Sequence, residues 1–289
     1  MRIGIATCRA YPALYPSDTL YAAALKRLGC SVDVLEWNAA QLDAFGRCDA
    51  IVIRATWDYQ DDMSGFDHWL DQLETLRRPV FNTPALMRWN NDKRCLLDLA
   101  RKGVAIPATI PLVGPDSLDE AIRRIDGDHI VLKPCWGGGG IGVDLAPREA
   151  AAAVLDRLTV ATGGRAFMVQ EYLPEIADGE LSFVFVAGRH AHTVLKRPAA
   201  GEFRVNGRYS PPPPVPYRAA DRLVADATAA LAAVGSETLY ARIDGVVRND
   251  RLICTEIELT EPTLYMDVVP ETAPLFAEAT LRMLAAASA

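Results

Sequence analysis

His129-Ile130-Val131-Leu132-Lys133-Pro134-Cys135-Trp136, followed at once by Gly137-Gly138-Gly139-Gly140, is the stretch on which the reading of this chain turns. An apolar run with strand character delivers a lysine, and glycines take over immediately. Glycine lets backbone N–H groups approach oxyanions closely, and the lysine supplies a point charge. No Gly-Lys-Ser/Thr closes the loop, so it is not a P-loop, and it does not open a helix with Gly-x-Gly-x-x-Gly spacing. Val143 to Leu145 resumes a strand. The glycines therefore lie between two strands and read as a flexible flap over a phosphate, with Gly138, Gly139 and Gly140 at its centre. Taken alone, a plain Gly-rich hairpin fits the same residues.

Two further signals lie downstream. Asp244 falls in the run Tyr240 to Val247, and Glu256 and Glu258 fall in Leu252 to Leu259; the turn Arg248-Asn249-Asp250-Arg251 joins the two strands. Glu256 and Glu258 are two apart, so they share one face, and Asp244 can point at the same space. Carboxylates crowded on one face repel unless a cation binds them, and hard oxygen donors suit Mg²⁺. The alternative is a solvated strand face. The other signal is basic: Lys196-Arg197 with Arg204 and Asn206, in an otherwise acidic chain. In order, a lysine, a glycine flap, a basic loop and a carboxylate cluster describe a site for phosphoryl transfer from ATP with Mg²⁺.

Upstream, strand and helix signals alternate. Arg2 to Ala6, Ser31 to Leu35, Ala50 to Ile53 and Val80-Phe81 read as strands, with helical patterns over Asp18 to Leu28 and Phe66 to Leu76. Such alternation predicts a parallel sheet covered by helices, with ligands beyond the carboxyl ends of its strands. Arg9, Arg54, Thr56 and Asp58 occupy those ends, and Glu261 follows the acidic pair. Together they would line a pocket offering arginines to a carboxylate and acids to an ammonium group; the alternative is that Arg54 and Asp58 pair with each other. A helix over Lys93 to Lys102 is expected after the capping cluster Asn90-Asn91-Asp92. Another is expected over Ser117 to Ile125, with Ser117 capping Glu120. Ser210 to Pro216 reads as an extended loop. The resulting organisation is an N-terminal α/β unit over residues 1–89, a small α+β unit over 90–172 and a third unit over 173–289.

With 289 residues, 50% of them apolar, the chain is long enough for a sizeable core. The net charge of −7, from 37 acidic against 30 basic residues, argues against general nucleic-acid binding. No segment reads as a membrane span or signal peptide. The six cysteines are scattered without Cys-x-x-Cys spacing, which predicts reduced thiols and a cytoplasmic setting. No Ser/His/Asp arrangement supports covalent catalysis, and the four histidines have no evident partners.

Asn91-Asp92-Lys93, Leu132-Lys133-Pro134 with its glycines, Val169-Gln170-Glu171-Tyr172-Leu173, Asp178-Gly179-Glu180, Arg204-x-Asn206 and Glu256-Ile257-Glu258 form an ordered set. In that order they resemble the ATP-grasp superfamily, in particular its glutathione-synthetase-like branch, over about residues 90 to 267. Arg54-Ala55-Thr56-Trp57-Asp58-Tyr59 and Lys196-Arg197-Pro198-Ala199-Ala200-Gly201 look like the subgroup that includes the cycloserine-forming ATP-grasp ligase. The resemblance implies an α/β ATP-grasp fold, an N-terminal parallel domain and two α+β subdomains that clasp ATP. It implies that Lys93 and Lys133 contact phosphates, that Glu171, Tyr172 and Leu173 form an adenine hinge, and that Glu180 holds the ribose. It further implies that Asp244, Glu256 and Glu258 hold Mg²⁺, and that Arg204, with Asn206 or Arg197, stabilises the reacting phosphate. One departure stands out: related ligases carry Asn where Glu258 stands. The expected activity is ATP-dependent joining of a small carboxylate to an amine through an acyl phosphate. Its rivals are a small-molecule kinase and a silent nucleotide-binding module. The expected partners are small molecules, with no nucleic acid and no membrane, and a homodimer is the assembly left open.

Overall fold

The computed structural model describes residues 1–114 and 117–287. The first unit runs β1 (Arg2–Thr7), α1 (Pro16–Arg27), β2 (Ser31–Glu36), α2 (Leu42–Gly46), β3 (Ala50–Ile53), α3 (Met63–Thr75) and β4 (Val80–Phe81). Its four strands are parallel in the order β2-β1-β3-β4. Central β1 and β3 are covered on both faces, which is why they read as unbroken apolar runs. Local chemistry fixes the start of α3. Asp62 accepts a hydrogen bond from Gly65 N at 2.9 Å, and a Cβ on Gly65 would stand 2.1 Å from the same carboxylate.

Next come α4 (Pro84–Asn91) and α5 (Cys95–Arg101). The Asn90-Asn91-Asp92 cluster does not cap a helix starting at Lys93, contrary to the sequence reading. Asn90 and Asn91 end α4, whose own cap is Thr83 with Pro84 at the first position. Asn90 is instead a buried tie, donating to Ile257 O at 2.8 Å and accepting from Leu259 N at 2.7 Å.

The middle unit holds β5 (Thr109–Pro111), α6 (Ser117–Arg124), β6 (His129–Pro134), β7 (Asp144–Pro147), α7 (Ala151–Ala161) and β8 (Phe167–Glu171). Its antiparallel sheet has the order β5-β8-β6-β7 and its own small core around Ile130, Leu132, Val169 and Leu158. Ser117 lies inside α6 and gives its hydroxyl to Gly114 O at 2.7 Å, so it does not form the expected cap with Glu120.

The third unit contains β9 (Glu180–Val186), β10 (Arg189–Lys196), β11 (Val215–Tyr217), α8 (Asp221–Val234), β12 (Tyr240–Arg248), β13 (Arg251–Glu258) and α9 (Thr272–Ala287). The sheet order is β11-β10-β9-β12-β13, antiparallel throughout. The Pro-rich stretch is not all loop: Val215 and Pro216 join the edge strand, where a missing N–H is tolerated.

The first and third units share one hydrophobic core, in which Ile3, Ile5 and Tyr21 pack with Val184, Tyr240 and Phe276. Buried polar groups stitch the same seam. Asn82 donates to Tyr240 O at 2.9 Å and Leu259 O at 2.7 Å, and it accepts from Leu239 N at 2.8 Å. The Tyr240 hydroxyl reaches Ile53 O at 2.7 Å and Thr260 O at 2.8 Å. All six cysteines are buried and free. Among the described residues, no helix is long and apolar enough to cross a membrane.

Candidate active site

The five-stranded sheet turns one face toward a cavity of about 1000 Å³ that lies against all three units. Strand alternation selects which side chains reach it: Glu180 from β9, Lys196 from β10, Arg242 and Asp244 from β12, Glu256 and Glu258 from β13. Asp244 pairs with Glu256 across the ladder, and the register slips one residue later at Gly245. A Cβ on Gly245 would lie 2.5 Å from Ile253 O, so this bulge requires glycine. The result places carboxylate oxygens of Asp244, Glu256 and Glu258 within 4.8 Å of one another.

Protein cations hold these acids apart. Lys93 bonds Glu256, and Lys133 stands 4.0 Å from it. The Arg242 guanidinium bridges Asp244, at 2.8 Å, and Glu258. Lys196 contacts Glu180 at 2.6 Å and Asp244 at 3.4 Å, and Thr255 donates to Glu180 at 2.8 Å. Burial works to raise the Glu256 carboxyl, but Lys93 and Lys133 outweigh it and hold the group below the ordinary range. Glu258 goes the other way: burial, reinforced by Glu256, Asp244 and Glu261 and only partly opposed by Arg242, pushes it up to about 8. Burial also raises Glu261 to about 6. Three acids this close, one of them reluctant to ionise, form a donor set that a divalent cation would relieve.

The glycine loop between β6 and β7 covers this face. Its backbone is pinned on two sides. Tyr209 donates to Gly140 O at 2.7 Å, and Arg204 donates to Val143 O at 2.8 Å while stacking over the Tyr209 ring at 3.7 Å. Arg165 donates to Gln60 O of the first unit at 2.8 Å. Gly140 has φ +71°, and a Cβ there would meet Tyr209 at 2.8 Å. At the far end, the segment from Glu171 to Leu173 lines the cavity, while the Glu171 carboxylate turns away onto Arg248 at 2.6 Å.

Among the residues read from the sequence, the cavity walls bring together Lys93, Lys133, Gly138, Gly139, Gly140, Glu171, Tyr172, Leu173 and Glu180. They also hold Arg204, Asn206, Asp244, Glu256, Glu258 and Glu261. Other positions need correction. Arg197 is exposed and outside the cavity, because strand neighbours face opposite ways and Lys196 takes the inward position. Arg204 is forked onto Glu202 at 2.7 Å, and the Asn206 oxygen caps its own turn by accepting from Arg208 N at 3.0 Å; both build the basic loop. Arg54 does not face a ligand. It is 1% exposed, bonds Asp18 at 2.8 Å and donates to Pro262 O at 2.5 Å. Its partner is therefore Asp18, not Asp58. Asp58 turns to Trp37 Nε1 at 2.5 Å, Thr56 is buried, and Arg9 is exposed beyond the rim. The strand-end rule found the right rim, but α1 intercepts Arg54 before it reaches the cleft.

One residue missed in the sequence, and one read only as part of a larger run, matter here. Arg242 sits two before Asp244 on one strand, so the same alternation that grouped Glu256 with Glu258 would have grouped these. Lys196 was visible only as part of a basic run. Trp57 follows the carboxyl end of β3, where the strand-end rule points, while Tyr11 and Tyr15 of the same aromatic rim carry no local signature.

Comparison with known proteins places these features in context. Residues 106–270 match the family model described as prokaryotic glutathione synthetase, ATP-grasp domain. Residues 3–82 match that of the D-cycloserine synthetase DcsG N-terminal domain. A probable alpha-L-glutamate ligase of Alcanivorax borkumensis is 35% identical over 132 residues, 44% of this chain and 42% of the relative. The cycloserine biosynthesis protein DcsG of Streptomyces lavendulae is 29% identical over 182 residues, 60% of each chain. The matched stretches thus span between about two fifths and three fifths of these relatives. In three dimensions the chain is similar to the crystal structure of D-cycloserine synthetase DcsG, with a TM-score of 0.86 at 23% identity over 98% of this chain and 100% of that one. It is also similar to a D-alanine–D-alanine ligase from Bacillus anthracis, with a TM-score of 0.71 at 15% identity over 98% and 97%.

Proposed function

The chain belongs to the prokaryotic glutathione synthetase ATP-grasp family, and from that premise we propose that it is an ATP- and Mg²⁺-dependent carboxylate–amine ligase acting on small amino-acid-like substrates. The observation that carries the reading is the sheet face itself. Three carboxylates within 4.8 Å of one another stand beneath two lysines and an arginine, opposite a glycine flap.

Asp244, Glu256 and Glu258 offer the oxygen donors that Mg²⁺ takes; burial, reinforced by the neighbouring acids, raises Glu258, and such an ion relieves both. The bound ion would supply neutralisation of phosphate charge. Lys93 and Lys133 would exchange Glu256 for phosphate oxygens, with backbone N–H groups of Gly138 to Gly140 closing from above. Glu171 to Leu173 would receive the adenine and Glu180 the ribose. A substrate carboxylate oxygen attacks the γ-phosphorus, the bond to the bridging oxygen breaks, and ADP leaves with that electron pair. An amine then attacks the acyl carbon, loses a proton and expels inorganic phosphate. Arg242 is placed to balance the charge that develops on the reacting phosphate and acyl oxygens. The remainder of the catalysis is positioning in a closed site.

The test is ADP release across a panel of amino acids and amines, with hydroxylamine added to trap acyl phosphate. A ligase gives hydroxamate, and Glu256→Gln lowers the rate at least about a hundredfold while leaving the fold intact. ADP release without hydroxamate from any carboxylate, or normal Mg²⁺-dependent turnover in Glu256→Gln, would overturn the proposal.

A further inference from the structure

The cavity is polarised along its length. Lys93, Lys133, Lys196 and Arg242 gather on the sheet face with the three carboxylates, and Arg204 and Arg208 reach the cavity from the basic loop. From there the chain after β13 runs outward as far as Leu264 and then turns at Tyr265, whose φ is +50° and whose carbonyl accepts from Val268 N at 3.0 Å. Pro262, Leu264 and Met266 are buried in the protein, while Glu261, Thr263, Tyr265 and Asp267 line the cavity. Asp267 is exposed, and among the described residues no basic side chain pairs with it.

The same cavity is lined by an aromatic wall built from the segments that follow β1 and β3. Tyr11, Tyr15 and Trp57 pack edge to face, with ring centroids 5.4 Å apart for Tyr11–Tyr15, 5.1 Å for Tyr11–Trp57 and 4.9 Å for Tyr15–Trp57. The indole N–H of Trp57 is fixed on Glu261 O at 2.9 Å, so the wall is rigid and tied to the alternating segment. Burial raises the Tyr15 phenol, and the Asp267 carboxylate adds to that rise, which puts the carboxylate in electrostatic reach of the wall.

A rigid aromatic wall sharing a cavity with an unpaired carboxylate is what receives an organic cation. We propose that Tyr11, Tyr15, Trp57 and Asp267 form a cation subsite that takes the ammonium group of the substrate, so that an amino acid lies along the cleft with its carboxylate toward Lys93, Lys133 and Arg242. The substrate class is then a small zwitterion, and a substrate carrying a second carboxylate at its ammonium end is repelled by Asp267. The inference rests on the ligase reading only for which end of the substrate points inward.

Its test needs no turnover. Choline and its neutral isostere 3,3-dimethyl-1-butanol are titrated against the whole protein with MgADP present, reading tryptophan fluorescence. Choline is expected to change the emission, with the change lost in Trp57→Phe, and the neutral isostere to bind about tenfold more weakly. Asp267→Asn, at an exposed position, is expected to weaken choline about tenfold. Equal binding of the two probes, or a choline response indifferent to both Asp267→Asn and Trp57→Phe, would overturn the subsite. The hydroxamate assay reports separately on the ligase reading, since neither probe has a carboxylate to activate.

Discussion

Replacing Arg54 by Ala is expected to damage the fold before it damages substrate recognition. The side chain is 1% exposed and its partner Asp18 is 2% exposed, with 2.8 Å between them. The guanidinium also holds Pro262 O at 2.5 Å and lies 4.8 Å from the Tyr240 ring centroid. Removing one member of a buried pair leaves the other charge uncompensated, a loss of about 3–5 kcal/mol. Burial already raises the Asp18 carboxyl against the opposing pull of Arg54, so without Arg54 that acid would take up a proton on folding. For a chain of 289 residues the loss corresponds to a fall of about 5–8 °C in the melting temperature. Urea and thermal unfolding followed by circular dichroism measure it. The double variant Asp18→Asn with Arg54→Met should recover much of the loss, because a buried pair replaced as a unit costs far less than a broken one. A loss under about 1 kcal/mol in Arg54→Ala, combined with a raised KM for the organic substrate, would refute the reasoning and return Arg54 to the cleft.

Gly140→Ala should leave the fold intact but raise the ATP KM several-fold and speed hydrogen exchange over residues 137–142, since φ +71° and the 2.8 Å approach to Tyr209 both oppose a Cβ. Unchanged exchange would free the flap from that constraint. The His192 imidazole, lowered by burial to about 4 and bonded to Thr272 at 2.7 Å, makes stability depend on pH. Its folded value lies below its unfolded one, so its contribution is complete above about pH 6.5 and lost as pH falls toward 4, at roughly 1.4 kcal/mol per pH unit. Urea midpoints of the wild type and His192→Gln, compared between pH 7 and 5, should converge as the pH drops; parallel profiles would contradict it.

Much of the scaffold was legible because its signals are local. The apolar runs of β1 and β3, the Gly188-Arg189 turn between β9 and β10, and the two-residue spacing of Glu256 and Glu258 each follow from backbone geometry. The ladder partner of Glu256, Asp244, followed from the same hairpin. What stayed hidden depends on long-range pairing. Asp18 lies 36 residues before Arg54 and Pro262 lies 208 after it, so no pattern near Arg54 announces its burial. Asn90 looked like a cap because Asn favours caps, yet a buried strand 167 residues away uses it better. Arg242 is a different case: its spacing to Asp244 was on the page, and only the emphasis on acids passed over it.

The core shared by the first and third units also sets a pace. With those two fused through Tyr240 and Asn82, the middle unit is the part free to swing. Its side-chain ties across the cleft include Arg165 to Gln60, Arg204 to Val143 and Tyr209 to Gly140. On the proposed reading, a swing of the middle unit during loading and discharge would have to release them, and the ties would then work as an escapement on the cycle. Removing the Arg165 side chain, which reaches the Gln60 carbonyl, would then alter the pace without touching one acid on the sheet.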